Sequence, residues 1–190
     1  MKVLFISVWP FDSGIFQSTI PPAVSYWVEH DLVERVEVVS FGQTTKNYSE
    51  KDGRILFRTL STPFLNQAMI RFFFQLIHLF KIARKGHYDL IWARSVTPGN
   101  LAYLTSLVSG VPFGVESFEP HTDYMIEGNA WGRNSFKTKI QRFLENKIAK
   151  NANVLITVSD KFKAIVEKQF NRKPQTTFIS NCSSFKLFRK

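Results

Sequence analysis

Short, unbroken apolar runs alternate with helical stretches along almost the whole of this 190-residue chain. That alternation constrains its fold more than any other feature. Tyr88–Ala93 is the clearest run, continuous in apolar residues after the turn at Gly86. Lys2–Trp9 is another, closed by Pro10; Val36–Phe41, Pro112–Phe118 and Asn153–Val158 also read as strands, Arg54–Leu60 as a more polar one and Thr176–Ser180 as the last. Between them lie segments with apolar residues at helical spacing. The first follows Pro21 and Pro22, which fit an opening turn, and carries Ala23, Trp27, Val28 and Leu32. Asn66–Lys85 is the second. Pro98 and Gly99 open the third, which Gly110 ends. Ser135 caps a basic fourth helix reaching Ala152, and Ser159 or Asp160 caps the last. The stretches Pro10–Thr19, Gln43–Gly53 and Glu119–Asn134 are polar and read as loops.

Unbroken hydrophobic strands alternating with helices predict an α/β fold with a parallel sheet buried on both sides. Right-handed crossovers make it a doubly wound, Rossmann-like domain with helices on both faces. Ligands of such sheets sit at the carboxyl ends of the strands. Four loops are thereby nominated: Trp9–Gly14, Arg94–Gly99, Glu116–Asp123 and Ser159–Asp160.

Several chemistries are excluded by what the sequence lacks. Cys182 is the one cysteine, so neither an internal disulfide nor a cysteine-based metal cluster forms. His30, His78, His87 and His121 show no zinc-ligand spacing, and no metal site is expected. Gly14 stands alone after the first strand, without the glycine fingerprint of a dinucleotide site, and there is no phosphate-binding P-loop. The amino terminus has a faint leader-like look, but Pro10, Asp12 and the missing small-residue cleavage site favour a buried strand.

Charge is unevenly distributed. The net charge is +10, yet residues 1–132 sum to −1, and the whole excess lies in the last 58 residues. An anionic partner or a solvated basic helix face accounts for it equally well. Nucleic acid rests on charge alone, with no recognised motif behind it. Asn66–Lys85 is apolar on nearly every side, but its longest stretch without Lys or Arg, Phe72–Phe80, is far below the roughly 20 residues of a membrane span. Burial between other elements is the favoured role; partial insertion in a membrane interface is the competing one.

The densest polar cluster beside a strand end is Glu116-Ser117-Phe118-Glu119-Pro120-His121-Thr122-Asp123. Glu116, Glu119, His121 and Asp123 suit a site that orients hydroxyl groups or moves a proton; solvating and capping the loop is their competing role. Arg94 suits an acceptor phosphate or carboxylate, or a structural acid. Asp12, Ser13 and Gly14 complete the candidates on the first loop.

Four passages, in order, carry a resemblance to glycosyltransferase family 4. Tyr88–Ser95 resembles the family's strand ending in Ala-Arg-Ser, and Val111–Pro120 its next strand, with Glu116 on the family's glutamate. Asn151–Ser159 is similar to the strand opening the last helical unit, and Thr177–Arg189 to the passage into an interdomain linker. The resemblance implies a GT-B enzyme of two Rossmann-like domains facing a cleft. Residues 1–180 would be the acceptor-binding domain and 181–190 the start of the linker. The carboxy-terminal donor domain, with its Glu-x7-Glu motif, would be absent, so the isolated chain is expected to be inactive.

The implied reaction is retaining transfer from a nucleotide-sugar to a glycan or lipid-linked acceptor, as in polysaccharide biosynthesis. No cofactor is implied, because the nucleotide-sugar is a substrate bound mainly by the absent domain. A stand-alone binding or regulatory module is the alternative. A lipid-linked acceptor would account for both the basic tail and the Phe-rich helix, placing the protein in the cytoplasm or peripherally on the inner face of the membrane. Two departures stand out: Asp12-Ser13-Gly14 replaces paired glycines, and Phe118 occupies the place of the family's histidine, with His121 three residues on.

Overall fold

The computed structural model describes residues 1–42, 46–62, 68–171 and 176–178. Along the chain run β1 (Lys2–Ile6), α1 (Gly14–Glu29), β2 (Arg35–Gly42), β3 (Asn47–Glu50), β4 (Ile55–Ser61), α2 (Ala68–Gly86) and β5 (Leu90–Arg94). Then follow α3 (Val96–Ser109), β6 (Phe113–Phe118), α4 (His121–Glu127), α5 (Phe136–Asn151), β7 (Val154–Thr157), α6 (Asp160–Phe170) and β8 (Thr176–Phe178). The eight strands form one sheet in the order β3-β4-β2-β1-β5-β6-β7-β8. All neighbours pair in parallel except β3 with β4. The chain winds outward from β1 in one direction to β4, then returns to β1's other side and winds outward again from β5. The expected Rossmann-like domain is therefore present, with its switch point between β1 and β5.

Helices lie on both faces, in unequal number. Phe16, Ile20, Val24 and Val28 of α1 pack with Val3, Phe5, Val36, Val38, Ile55 and Phe57 on one face. The other face takes α2, α3, α5 and α6, through Leu79, Leu101, Ile148 and Val166, against Leu4, Ile6, Val39, Ile91 and Leu155. On α1's face, Trp92 of β5 extends the packed layer toward β6. The indole of Trp92 lies so close over β6 that a Cβ at Gly114 would stand 2.5 Å from its ring. Glycine is required there by close approach, not by backbone freedom.

Four local expectations are corrected. α1 begins at Gly14, seven residues before the prolines expected in its first turn, and both Pro21 and Pro22 lie inside it. An interior proline costs a helix about 3 kcal/mol. The Ser13 side chain caps the start by accepting from Phe16 N at 3.2 Å, and a stripe of fully buried Phe16, Ile20, Val24 and Val28 offsets the cost. Leu32, expected on that stripe, lies beyond the helix and is exposed.

Gln43–Gly53 contains β3, an exposed edge strand whose polar sequence gives no alternation; the Tyr48 ring stacks on Phe57 at 4.6 Å and fixes it. Glu119–Asn134 contains α4, only seven residues long and too short to show a period. α2, expected to be buried, shows two faces: Leu76, Leu79 and Ala83 pack on the sheet, while Ile70, Phe73, Phe74 and Ile77 are exposed. No helix among the described residues is long and apolar enough to cross a membrane. The expectations placed on Asn66, on Ile179 and Ser180, and on a linker at 181–190 lie outside the described residues.

Candidate functional site

The carboxyl ends of β1, β5, β6 and β7 open on one edge of the sheet, and the loops leaving them are pinned by specific bonds. Past β1, the buried Ser7 Oγ accepts from Trp9 N at 3.1 Å, and Ser40 Oγ, from beyond β2's centre, donates to Trp9 O at 2.6 Å. This turns the chain over the β1–β2 edge into Asp12-Ser13-Gly14. Asp12 is exposed. Ser13 Oγ is engaged twice, as the cap of α1 and as donor to Pro10 O at 2.8 Å. Gly14 faces open space.

At the ends of β5 and β6 two candidates meet. Arg94 Nη1 donates to Glu116 Oε1 at 2.9 Å, and each side chain is only 15% exposed. The next residue, Ser95, holds φ 75 and ψ 174, a conformation nearly reserved for glycine, with its N–H on Glu116 O at 2.8 Å. Strain of this kind costs of order 1–3 kcal/mol and concentrates at functional sites. Ser117, φ 52, is also left-handed. It sits in a register shift of the β6–β7 ladder between Val115 and Phe118. The extra residue turns Phe118 into the four-helix core, where it is 2% exposed and stacks on Phe162 at 5.8 Å. The position that the resemblance aligns with the family's histidine is thus a core position here.

His121, at the start of α4, is the accessible imidazole. Its Nδ1 lies 3.5 Å from Glu119 Oε1, and its ring meets Trp131 edge-on at 5.5 Å. Asp123 points elsewhere: it pairs with Arg142 of α5 at 2.5 Å, with both side chains more than half exposed. The sequence candidates therefore form two pairs, Arg94–Glu116 and Glu119–His121. Asp123 serves an exposed helix-to-helix contact.

Several residues of this edge were not legible beforehand. Trp131 also receives Lys137 Nζ over its ring, 4.1 Å from the centroid. Beneath α4, Glu145 Oε1 accepts from Thr122 N at 3.0 Å, Thr122 Oγ1 at 2.7 Å and Gln141 Nε2 at 3.2 Å. Gln141 Oε1 accepts in turn from Asn100 Nδ2 of α3 at 2.9 Å. Burial raises the Glu145 carboxyl above its ordinary range, against the lowering effect of the Thr122 and Gln141 bonds. This chain ties α3, α4 and α5 together and fixes where His121 stands. Only the i, i+4 spacing of Gln141 and Glu145 hinted at it. No group of three or more His, Cys, Asp or Glu residues that could hold a metal occurs among the described residues.

The edge offers a paired guanidinium and carboxylate, an imidazole beside a second carboxylate, and the half-buried Trp131 ring with Lys137 Nζ over one face. Such a set can donate to and accept from neighbouring hydroxyls and flank an apolar ring face.

The sequence profile of the glycosyl transferase 4-like domain matches residues 25–182. The chain belongs to the glycosyl transferase 4-like family. Solved structures agree on the fold of this glycosyl transferase 4-like domain. A putative UDP-N-acetylglucosamine 2-epimerase from Listeria monocytogenes superposes with a TM-score of 0.65 at 11% identity, over 92% of this chain and 44% of that one. Sucrose-phosphate synthase from Thermosynechococcus elongatus gives 0.65 at 15% identity, over 98% and 49%. HepE from Anabaena, in complex with UDP-glucose, gives 0.58 at 14%, over 99% and 46%. The glycosyl transferase 4-like chain thus spans about half the length of these three proteins. No curated protein matches it in sequence at a significant level.

Proposed function

We propose that this chain is the amino-terminal, acceptor-binding half of a retaining glycosyltransferase acting on a glycan or glycolipid acceptor. The donor is a nucleotide-sugar, held mainly by a carboxy-terminal domain, and no metal or organic cofactor takes part. In the transfer, the bond from the anomeric carbon to the nucleotide breaks and one to an acceptor hydroxyl forms, with that hydroxyl's proton released. The observation that carries the reading is the carboxyl edge of the sheet. Its acids and bases are paired there, and Trp131 offers a ring face beside His121. Sugars need this combination, since each hydroxyl wants a partner and their C–H faces pack on aromatics. The UDP-glucose complex of HepE supports the donor class.

A cytoplasmic protein resting peripherally on an anionic membrane belongs to the same reading. Ile70, Phe73, Phe74 and Ile77 form an exposed stripe on α2, flanked by Arg71, Lys81 and Arg84. Binding to vesicles is then expected to require anionic lipid and to weaken with salt, and equal binding to neutral vesicles overturns that part.

A second reading, a binding or regulatory module without catalysis, is favoured by Phe118, which places a core side chain where the resemblance calls for histidine. The test is turnover of the intact protein, donor domain included, across a panel of nucleotide-sugars. Turnover is expected, with Trp131→Ala raising the acceptor KM about tenfold for the loss of one aromatic face. No turnover with any donor from a folded protein supports the module instead.

A further inference from the structure

A cavity of about 370 Å³ opens at the opposite, amino edge of the sheet. It lies between the first residues of β1, β2 and β4 and the last turn of α2. Lys2, Arg35, Arg58, Lys81 and Lys85 line it, facing the single carboxylate of Glu37.

Glu37 is already engaged. Tyr88 Oη donates to its Oε2 at 2.5 Å, and Arg58 Nε stands 3.3 Å from its Oε1, an ion-pair contact rather than an aligned hydrogen bond. Lys2 Nζ is also committed: it donates to Gly86 O at 2.6 Å and sits 4.9 Å from the Tyr88 ring centroid. That contact covers the terminal carbonyl of α2, the end of the helix that would otherwise repel an anion. Arg35, Lys81 and Lys85 meet no acidic side chain among the described residues.

The cavity wall thus carries five cations against one carboxylate, and Arg58 is already paired with it, which leaves an excess of four positive charges. Arg35, Lys81 and Lys85 are exposed at this open cleft, and like charges gathered along one cleft raise the local concentration of anions. A guanidinium and two ammonium groups with open hydrogen-bonding capacity suit a phosphate, whose oxygens accept several charge-assisted bonds at once.

We propose that this cavity binds a phosphomonoester dianion through Arg35, Lys81 and Lys85, at a site separate from the acceptor edge. The carboxyl-edge pairs sit at the opposite edge of the sheet and on other strands, β5 and β6, so the two sites do not overlap. The inference does not depend on the transferase reading. Two sources supply this chemistry: a soluble phosphate ester or the headgroup of a membrane lipid. The apolar stripe of α2 ends at Ile77, one helical turn from Lys81, which places the cavity beside the surface that would face a bilayer.

The test uses the intact protein with glycerol phosphate followed by ³¹P NMR, and vesicles of phosphatidylcholine carrying either phosphatidic acid or phosphatidylglycerol. Arg35→Gln/Lys81→Gln/Lys85→Gln is expected to weaken glycerol phosphate binding at least tenfold. Arg71→Gln/Arg84→Gln, which removes two cations of α2 outside the cavity, is expected to leave it unchanged. Unaltered circular dichroism and melting temperature show that both variants fold.

If phosphatidic acid vesicles bind more tightly than phosphatidylglycerol ones, and the triple variant erases that difference, the lipid is the source. If both vesicles bind alike while glycerol phosphate still needs the cavity, the ligand is a soluble ester. Absence of saturable binding to glycerol phosphate and to phosphatidic acid vesicles overturns the site. Equal weakening of glycerol phosphate binding by the two sets of substitutions also overturns it, because diffuse surface charge then explains the binding.

Discussion

The two edges of this sheet share only β1 between their candidate sites and treat charge in opposite ways. At the carboxyl edge, acids and bases are matched: Arg94 with Glu116, His121 with Glu119, Arg142 with Asp123. At the amino edge, five cations share one carboxylate that is already bonded to Tyr88. Matching leaves these side chains satisfied by one another. Mismatch leaves a standing potential that only an anion relieves. The contrast lies in pairing rather than in how many charges each edge holds.

The largest effect is expected where pairing is most buried. Arg94→Met strands Glu116 at 15% exposure and should cost about 2–3 kcal/mol in urea unfolding. The double variant Arg94→Met/Glu116→Gln should recover a good part of that, since the carboxylate is removed with its partner. Additive losses instead would show that the two residues act independently and that the carboxyl edge is not organised by pairing. At the amino edge, Tyr88→Phe removes the donor to Glu37 Oε2 and should cost about 2 kcal/mol, the penalty of leaving a buried acceptor unmade. Melting unchanged by that substitution would mean that Arg58 alone satisfies Glu37.

A smaller effect concerns Glu145, which supports α4 from below. Burial raises its carboxyl, so the folded state holds the proton more tightly than the unfolded chain. Its contribution is therefore most favourable at acid pH and is lost as pH rises through the carboxylate range. Glu145→Gln keeps an oxygen acceptor for Thr122 and has no charge to desolvate. The variant should gain stability over the parent as pH rises from 4 to 7, read as a widening gap in melting temperature. A constant gap would place Glu145 in a wetter setting than its contacts describe. The smallest effect belongs to Asp123→Asn at its exposed pair with Arg142, expected within about 0.5 kcal/mol. A larger loss would make that contact part of how α4 is held.

The sequence carried the fold because its signal is repeated. Seven of the eight strands coincide with stretches read from the sequence, the clearest being Ile91-Trp92-Ala93, whose apolar character follows from burial on both faces. β3 and α4 escaped notice because neither buries a regular stripe: one is an exposed edge, the other a seven-residue helix. The start of α1 was hidden by Pro21 and Pro22, whose local preference loses to the packing of Phe16 and Ile20.

At the site, Arg94, Glu116 and His121 were readable from their place after apolar strands. Glu145 and Trp131 were not, because their roles depend on partners 23 and 10 residues away. The amino-edge cavity was the least readable feature of all. Its five cations, at positions 2, 35, 58, 81 and 85, come from a stretch with a net charge of −1, and only the sheet brings them together.

The strand order also bears on how the chain is made. β1 is the centre of the sheet, and its two partners are β2 and β5. Lys2 N reaches Asp89 Oδ2 across 87 positions. The middle of the sheet therefore cannot close until β5 has been synthesised, which at roughly 5–20 residues per second leaves β1 waiting about 5–20 s after its own emergence. During that interval Val3, Leu4, Phe5 and Ile6 form a strand with an open edge, the kind of segment that pairs with the wrong neighbour. Lys2 at one end and Pro10 beyond the other flank this run. A chaperone that shields the first ten residues during translation would act at the most vulnerable point in the life of this protein.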